Sequence, residues 1–127
     1  MRPFNLLFFL VFITQLHAAN GLLEIHTINV QQGNCTLVIG PGDITVLLDS
    51  GRSQKGNNEI IPYLKSIGLP PPKGLDYTIS SHLDSDHIGG LDELIDAGYD
   101  VRTANYFNGS EKSNSYITTY KNRCALT

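Results

Sequence analysis

Ile79-Ser80-Ser81-His82-Leu83-Asp84-Ser85-Asp86-His87-Ile88-Gly89-Gly90 is the stretch whose reading decides the fold. Before it, Leu75 to Ser80 reads as a strand; after it, Ile88, Leu91, Leu94 and Ile95 recur at helical spacing as far as Gly98. The stretch is therefore a strand-to-helix joint, and two histidines and two aspartates fall between positions 82 and 87 of it. Imidazole and carboxylate without thiolate form a donor set that zinc, manganese and iron(II) accept. Two carboxylates this close repel each other unless a cation lies between them. A polar turn with a surface histidine is the plainer alternative, since Asp and Ser favour turns. The clustering at this joint favours a metal site made of His82, Asp84, Asp86 and His87.

Geometry refines the expectation. If residues 82–86 are extended, side chains two apart share a side, so His82, Asp84 and Asp86 converge while His87 points away. Asp86 and His87 then serve one ion while His82 and Asp84 serve another, or all four crowd a single ion. Ligand sites in α/β layers gather at the carboxyl ends of strands, which is where this cluster falls. Gly89-Gly90 allows the following helix to approach closely. Asp92 and Glu93, in its first turn, suit the helix dipole and read as stabilisers rather than ligands.

Upstream, Leu23, Ile25 and Thr27 alternate with Glu24 and His26, then Cys35 to Ile39 and Ile44 to Leu48 form two more apolar runs. The Gly40-Pro41-Gly42-Asp43 turn separates the last two, so three strands in a meander are expected. His26 belongs to no cluster and reads as a solvent-facing residue of the first strand. Asp49 closes the third strand beside Ser50-Gly51, where a carboxylate can hold a loop or orient an imidazole. Ile60, Ile61, Leu64 and Ile67 recur as one amphipathic helix, with Pro62 in its first turn and Gly68 as its stop. Leu69 to Gly74 reads as a stiff crossover. Val101 to Phe107 is a strand candidate, and Asn108 to Tyr120 has no clear pattern.

His82-x-Asp84-x-Asp86-His87 resembles the His-x-His-x-Asp-His signature of the metallo-β-lactamase superfamily, with Asp84 where the second His usually stands. The Asp-bearing form followed by Ile-Gly-Gly is similar to the lactamase-like domain of ComEC-type competence proteins and their free-standing secreted relatives. Ile28-Asn29-Val30-Gln31-Gln32-Gly33-Asn34-Cys35 resembles that group's Asp-Val-Gly-Gln-Gly-Asp-Ala segment, with Asn29 for Asp and Gln31 for Gly. Val46-Leu47-Leu48-Asp49-Ser50-Gly51 resembles its strand-ending Asp-Thr/Ser-Gly. The resemblance covers roughly residues 22 to 106. It implies an α/β (α+β) fold, the N-terminal half of an αββα sandwich, with a mixed sheet and helices on one face. It also implies that Asp49 supports the metal loop without ligating, and that further ligands come from downstream loops. No histidine follows His87, so the chain reads as a partial domain truncated on its C-terminal side.

The 127-residue chain, with a net charge of −3, holds one small domain and shows no basic patch for nucleic acid. Arg2, the apolar run Phe4 to Leu16 and His17-Ala18-Ala19 read as a secretory signal peptide over residues 1–19. The run is shorter than the roughly 20 apolar residues of a membrane span. The expectation is therefore a secreted or periplasmic protein without a stable anchor after cleavage, membrane-anchored if uncleaved, with residues 20–127 as the domain. Cys35 and Cys124 either pair in that oxidising compartment or, for Cys35, stay as a buried thiol. Asn34-Cys35-Thr36 and Asn108-Gly109-Ser110 match the glycosylation triplet, with meaning only in a eukaryotic host.

Together these features point to a metal-dependent hydrolase, zinc first with manganese or iron(II) as alternatives, in which Asp86 holds or accepts a proton from metal-activated water. A phosphodiester such as DNA, an ester, a lactone or an amide is the expected substrate. A truncated, non-catalytic metal-binding or interaction fragment is the second reading.

Overall fold

The computed structural model describes residues 21–72, 75–101, 104–106 and 115–124. The expected signal peptide and Asn108-Gly109-Ser110 lie outside the described residues. Elements follow in the order β1 (Glu24–Thr27), β2 (Thr36–Ile39), β3 (Thr45–Leu48), a π-helical turn (Gly56–Ile60) running into α1 (Ile61–Ser66), β4 (Tyr77–Ser80), α2 (Ser85–Ile88), α3 (Leu91–Asp96), β5 (Ala104–Tyr106) and α4 (Ser115–Cys124).

The five strands form one mixed sheet in the order β1-β2-β3-β4-β5. β1, β2 and β3 are antiparallel neighbours, as the expected meander requires, whereas β4 and β5 run parallel to β3. The Gly40–Asp43 turn is closed by Asp43 N–H donating to Gly40 O at 2.9 Å, with Asp43 at φ 62°. Parallel pairing demands a crossover, and α1 with its π-helical lead-in supplies it between β3 and β4.

Helices cover one face of the sheet. Leu37, Leu47, Thr78 and Ser80 point to that side and are buried, joined by Ile60 and Leu64 from the crossover, Leu91 and Leu94 from α3, and Ile117 and Tyr120 from α4. Each fully buried leucine stabilises the fold by about 1.5–3 kcal/mol, and Leu47→Ala in this core would cost about 2–5 kcal/mol. On the opposite face the register sets Ile25, Val38, Val46 and Tyr77 in one row across four strands, with Ile79 in the next row. That face is open: Ile25 is 66% exposed, Tyr77 43% and Ile79 39%.

Several expectations need correction. His26 is not a solitary solvent-facing residue: its Nδ1 lies 2.8 Å from the Tyr63 hydroxyl on α1 and its Nε2 lies 3.0 Å from Glu24 Oε2. The sheet places His26 in the helix-facing row with Leu37, which is why it meets α1. The segment after Asn108, without clear pattern in sequence, contains α4, whose buried Ile117 and Tyr120 stand three apart on one face. The single helix expected beyond Ile88 is two short ones, broken at Gly89-Gly90.

Candidate metal centre

Because β3 and β4 are parallel, their carboxyl ends lie together, and Asp49 follows one as Ser81 follows the other. Asp49 N–H donates to Ile79 O at 2.9 Å, which continues the pairing one step past β3. The Asp49 side chain is buried at this junction and accepts from Ser81 N (2.8 Å), Ser81 Oγ (2.9 Å), Asn34 Nδ2 (3.2 Å) and His87 Nδ1 (2.8 Å). Burial alone would raise its pKa, but the hydrogen bonds from His87, Ser81 and Asn34 outweigh burial and hold the carboxyl below its ordinary value. Asp49 is thus the acceptor on which the loops converge.

The extended geometry expected for residues 82–86 is not what forms. Ser85–Ile88 is one turn of helix, closed by His87 N–H donating to Asp84 O at 2.9 Å. Helical curvature brings His87 back towards Asp49 and stacks its ring on His82, the two centroids 3.8 Å apart. His87 therefore joins His82 instead of pointing away from it. Asp84 stays with His82, the Nε2–Oδ2 separation being 3.6 Å. Asp86 is half-buried, and its carboxylate has no hydrogen-bond partner among the described residues.

The donors suit a divalent ion in kind and, for His82 and Asp84, in spacing. An Nδ1–H donated to the Asp49 carboxylate leaves Nε2 as the lone-pair nitrogen of His87, the arrangement that prepares an imidazole for a metal. His82 Nδ1 lies 3.0 Å from Ser81 Oγ, whose own proton goes to Asp49, so His82 Nε2 is also the lone-pair atom and it faces the Asp84 carboxylate. Two donors of one tetrahedral ion sit about 3.4 Å apart for bonds of about 2.1 Å, close to the observed His82–Asp84 separation. Among the described residues no group of three or more His, Cys, Asp or Glu side chains closes on a common point. One pair of donors is in place, then, with an orienting carboxylate on the neighbouring His87.

The loops around these residues are fastened by backbone contacts. Ser50 N–H donates to His87 O at 2.7 Å, Gly89 N–H to Gly51 O at 2.8 Å, and Gly51 N–H to Asn34 O at 3.0 Å. Gly33, at φ 99°, lies against the backbone of Asp86, where any Cβ would clash with the Asp86 carbonyl. A Cβ on Gly89 or Gly90 would likewise strike the backbone of the 50–56 loop, which gives the close approach expected from the glycine pair its physical content. Glu93 does more than stabilise its helix. Its Oε2 accepts from Asn57 N at 2.8 Å and its Oε1 from Gln54 N and, at 3.4 Å, from Ser53 Oγ, so it clamps the loop that follows Asp49. Only the three-dimensional closure of residues 53–57 onto α3 reveals this role.

Cys35 is a buried free thiol, its pKa pushed up to about 12 first by burial and then by the Asp49 charge. A nucleophilic role is therefore disfavoured. Asn34, the acceptor of the first glycosylation triplet, is partly buried with its amide on Asp49.

A mixed sheet with a His- and Asp-bearing loop at the carboxyl end of a parallel strand makes this an α/β domain. The chain belongs to the metallo-beta-lactamase superfamily, whose family model matches residues 28–117. Recombination protein 2 of Haemophilus influenzae is 36% identical over 78 residues, covering 58% of this chain and 9% of that protein. The Beta-lactamase-like protein 2 homolog of Caenorhabditis elegans is 32% identical over 65 residues, covering 51% of this chain and 21% of its own length. The chain thus spans about a tenth and about a fifth of these curated relatives. The expected mixed sheet and the ComEC-like resemblance both hold, and the superfamily generally uses divalent metals, often zinc.

Proposed function

We propose that the protein is a metal-dependent hydrolase whose ligands include His82, Asp84, Asp86 and His87, with zinc as the preferred ion and manganese or iron(II) as alternatives. The observation that supports this most is the Asp49–His87 hydrogen bond, which fixes the imidazole tautomer that a metal needs. A bound divalent ion would supply a water acidic enough to attack near neutral pH. The chain's own residues do the rest: Asp49 and Ser81 orient the two imidazoles, and Asp86 holds or accepts a proton at its carboxylate. Phosphodiester, ester, lactone and amide are the candidate bonds. Export guided by residues 1–19 is part of the same proposal.

Metal content by elemental analysis, together with hydrolysis of bis-p-nitrophenyl phosphate and p-nitrophenyl acetate, tests this reading. Stoichiometric metal and turnover, both lost in His87→Ala, are the expected result. A second reading, a metal-binding or interaction module without turnover, draws on the open apolar face of the sheet and on the incomplete donor set. It predicts bound metal with no hydrolysis of either substrate. A folded protein that takes up no zinc, manganese or iron(II) would overturn both.

A further inference from the structure

Beside the metal loop lies an open cleft of about 390 Å³, lined by Gln31, Gln32, Arg52, Ser53, Lys55 and Ser85. Its size is in the range of small-ligand sites. Three segments build it: the loop after β1, the loop after Asp49 and the first residue of α2. The first two are the loops tied by backbone hydrogen bonds to each other and to His87 and Gly89, so the cleft shares one frame with the histidines. Gln31 sits at φ 65° and Gln54, between the lining residues Ser53 and Lys55, at φ 73°. Non-glycine residues held in the left-handed region are strained and recur at ligand clamps.

The lining has the chemistry of an anion site. Arg52 is exposed and gives one guanidinium N–H to Gln32 Oε1 at 2.8 Å, one of the five such donors a guanidinium carries. Lys55 is largely sheltered and only loosely paired, its Nζ 3.5 Å from Glu59 Oε1. Lys55 N–H donates to Arg52 O at 3.0 Å, so the two cations share one turn. The side-chain amides of Gln31 and Gln32 and the hydroxyl of Ser85 add neutral donors around them, while the Ser53 hydroxyl is given to Glu93. Arginine's fork and several convergent donors suit a multi-oxygen anion such as phosphate. The carboxylates nearby are Glu59, on Lys55, Glu93, which accepts from Ser53 Oγ and from the Gln54 and Asn57 amides, and Asp84 and Asp86, which flank Ser85 and belong to the proposed metal loop.

We propose that this cleft is an anion subsite that seats a phosphate group of a phosphodiester substrate next to the metal loop, with Arg52 as its principal cation and Lys55 as the second. The substrate's identity rests on the hydrolase reading above; the binding of phosphate does not.

The test separates the two. Metal-free, ¹⁵N-labelled protein is titrated with inorganic phosphate, with the dinucleotide thymidylyl-thymidine and with uncharged thymidine. The expected result is saturable shifts at the Arg52, Ser53 and Ser85 amides for the two anions and not for thymidine, weakening as salt is added. Arg52→Gln should raise Kd about tenfold or more and Lys55→Gln by a smaller factor, with each variant's thermal midpoint recorded to confirm that it folds. Absence of those shifts, equal binding of thymidine, or an unchanged Kd in folded Arg52→Gln overturns the subsite. In metal-loaded protein, Arg52→Gln should raise KM for bis-p-nitrophenyl phosphate more than it lowers kcat. Turnover with an unchanged KM would overturn the subsite while the hydrolase reading stands, and phosphate binding without turnover would do the reverse.

Discussion

Asp49 and His87, 38 positions apart in sequence, are joined by a 2.8 Å hydrogen bond from the imidazole Nδ1 to the carboxylate Oδ2. The same carboxylate also receives Ser81 and Asn34, so it sets the orientation of the whole loop. In Asp49→Asn one oxygen becomes a donor and cannot accept from every partner. Zinc affinity should fall about 10- to 100-fold, as for other lost partners of ligating histidines, measured by competition with a chromophoric chelator. Affinity equal to wild type would show that Asp49 does not orient His87 for metal.

Glu93 anchors the 53–57 loop through two backbone amides and a hydroxyl. Glu93→Ala leaves those donors to water or to nothing, and stability in urea should drop by about 1–3 kcal/mol. Amide exchange at Gln54 and Asn57 should accelerate together. Unchanged protection at both would mean that the clamp is not needed to hold the loop.

Thr78 Oγ1 is buried in the helix-facing row of β4 without a hydrogen-bond partner among the described residues. Valine keeps the shape and removes the unmet hydroxyl. Thr78→Val should therefore stabilise the protein by about 1 kcal/mol, read as a higher urea midpoint at constant slope. A lower midpoint would argue that the hydroxyl is satisfied in solution.

The Cys35 thiol, ordinarily near 9.0, is pushed up to about 12. Between those values the unfolded chain has lost the proton and the folded chain keeps it. The folded state then binds more protons, so stability falls as pH rises from 9 towards 12, by about 1.4 kcal/mol per pH unit for this one group. Burial raises the Tyr99 hydroxyl too, which acts in the same direction above pH 10. Urea titrations at pH 8.0 and 10.5 should show a smaller loss in Cys35→Ala than in wild type. Equal losses would contradict the raised thiol.

Much of this was legible in the residues themselves. The three-strand meander follows from alternation and the Gly40–Asp43 turn, and the strand-to-helix joint from the change of period at Ser80. A carboxylate at a strand end beside glycine reads equally well as a turn residue, and only the resemblance of residues 46–51 to the family's Asp-Thr/Ser-Gly segment pointed to Asp49 as a support. The direction of His87 was not legible, because alternation applies only while the backbone stays extended and Ser85–Ile88 coils instead. The His26–Tyr63 contact and the additional clamp made by Glu93 were not legible for a related reason: Tyr63 and the 53–57 loop lie more than 30 positions away from them. In α4 the only clue was a spacing of three between Ile117 and Tyr120, diluted by hydroxyl-bearing neighbours.

Since β3 and β4 point the same way, the polypeptide makes an excursion over residues 49–76 and returns before Ser81 and His87 can meet Asp49. Closing so long a circuit has an entropic cost that only the finished sheet recovers. Any metal binding by the proposed loop therefore depends on β3 and β4 having paired, and is out of reach of a nascent chain that still lacks β4. A single nick in that excursion would put the orienting carboxylate and the imidazoles on separate pieces, held together by strand pairing, the bonds to Asp49 and the packed core without a covalent link.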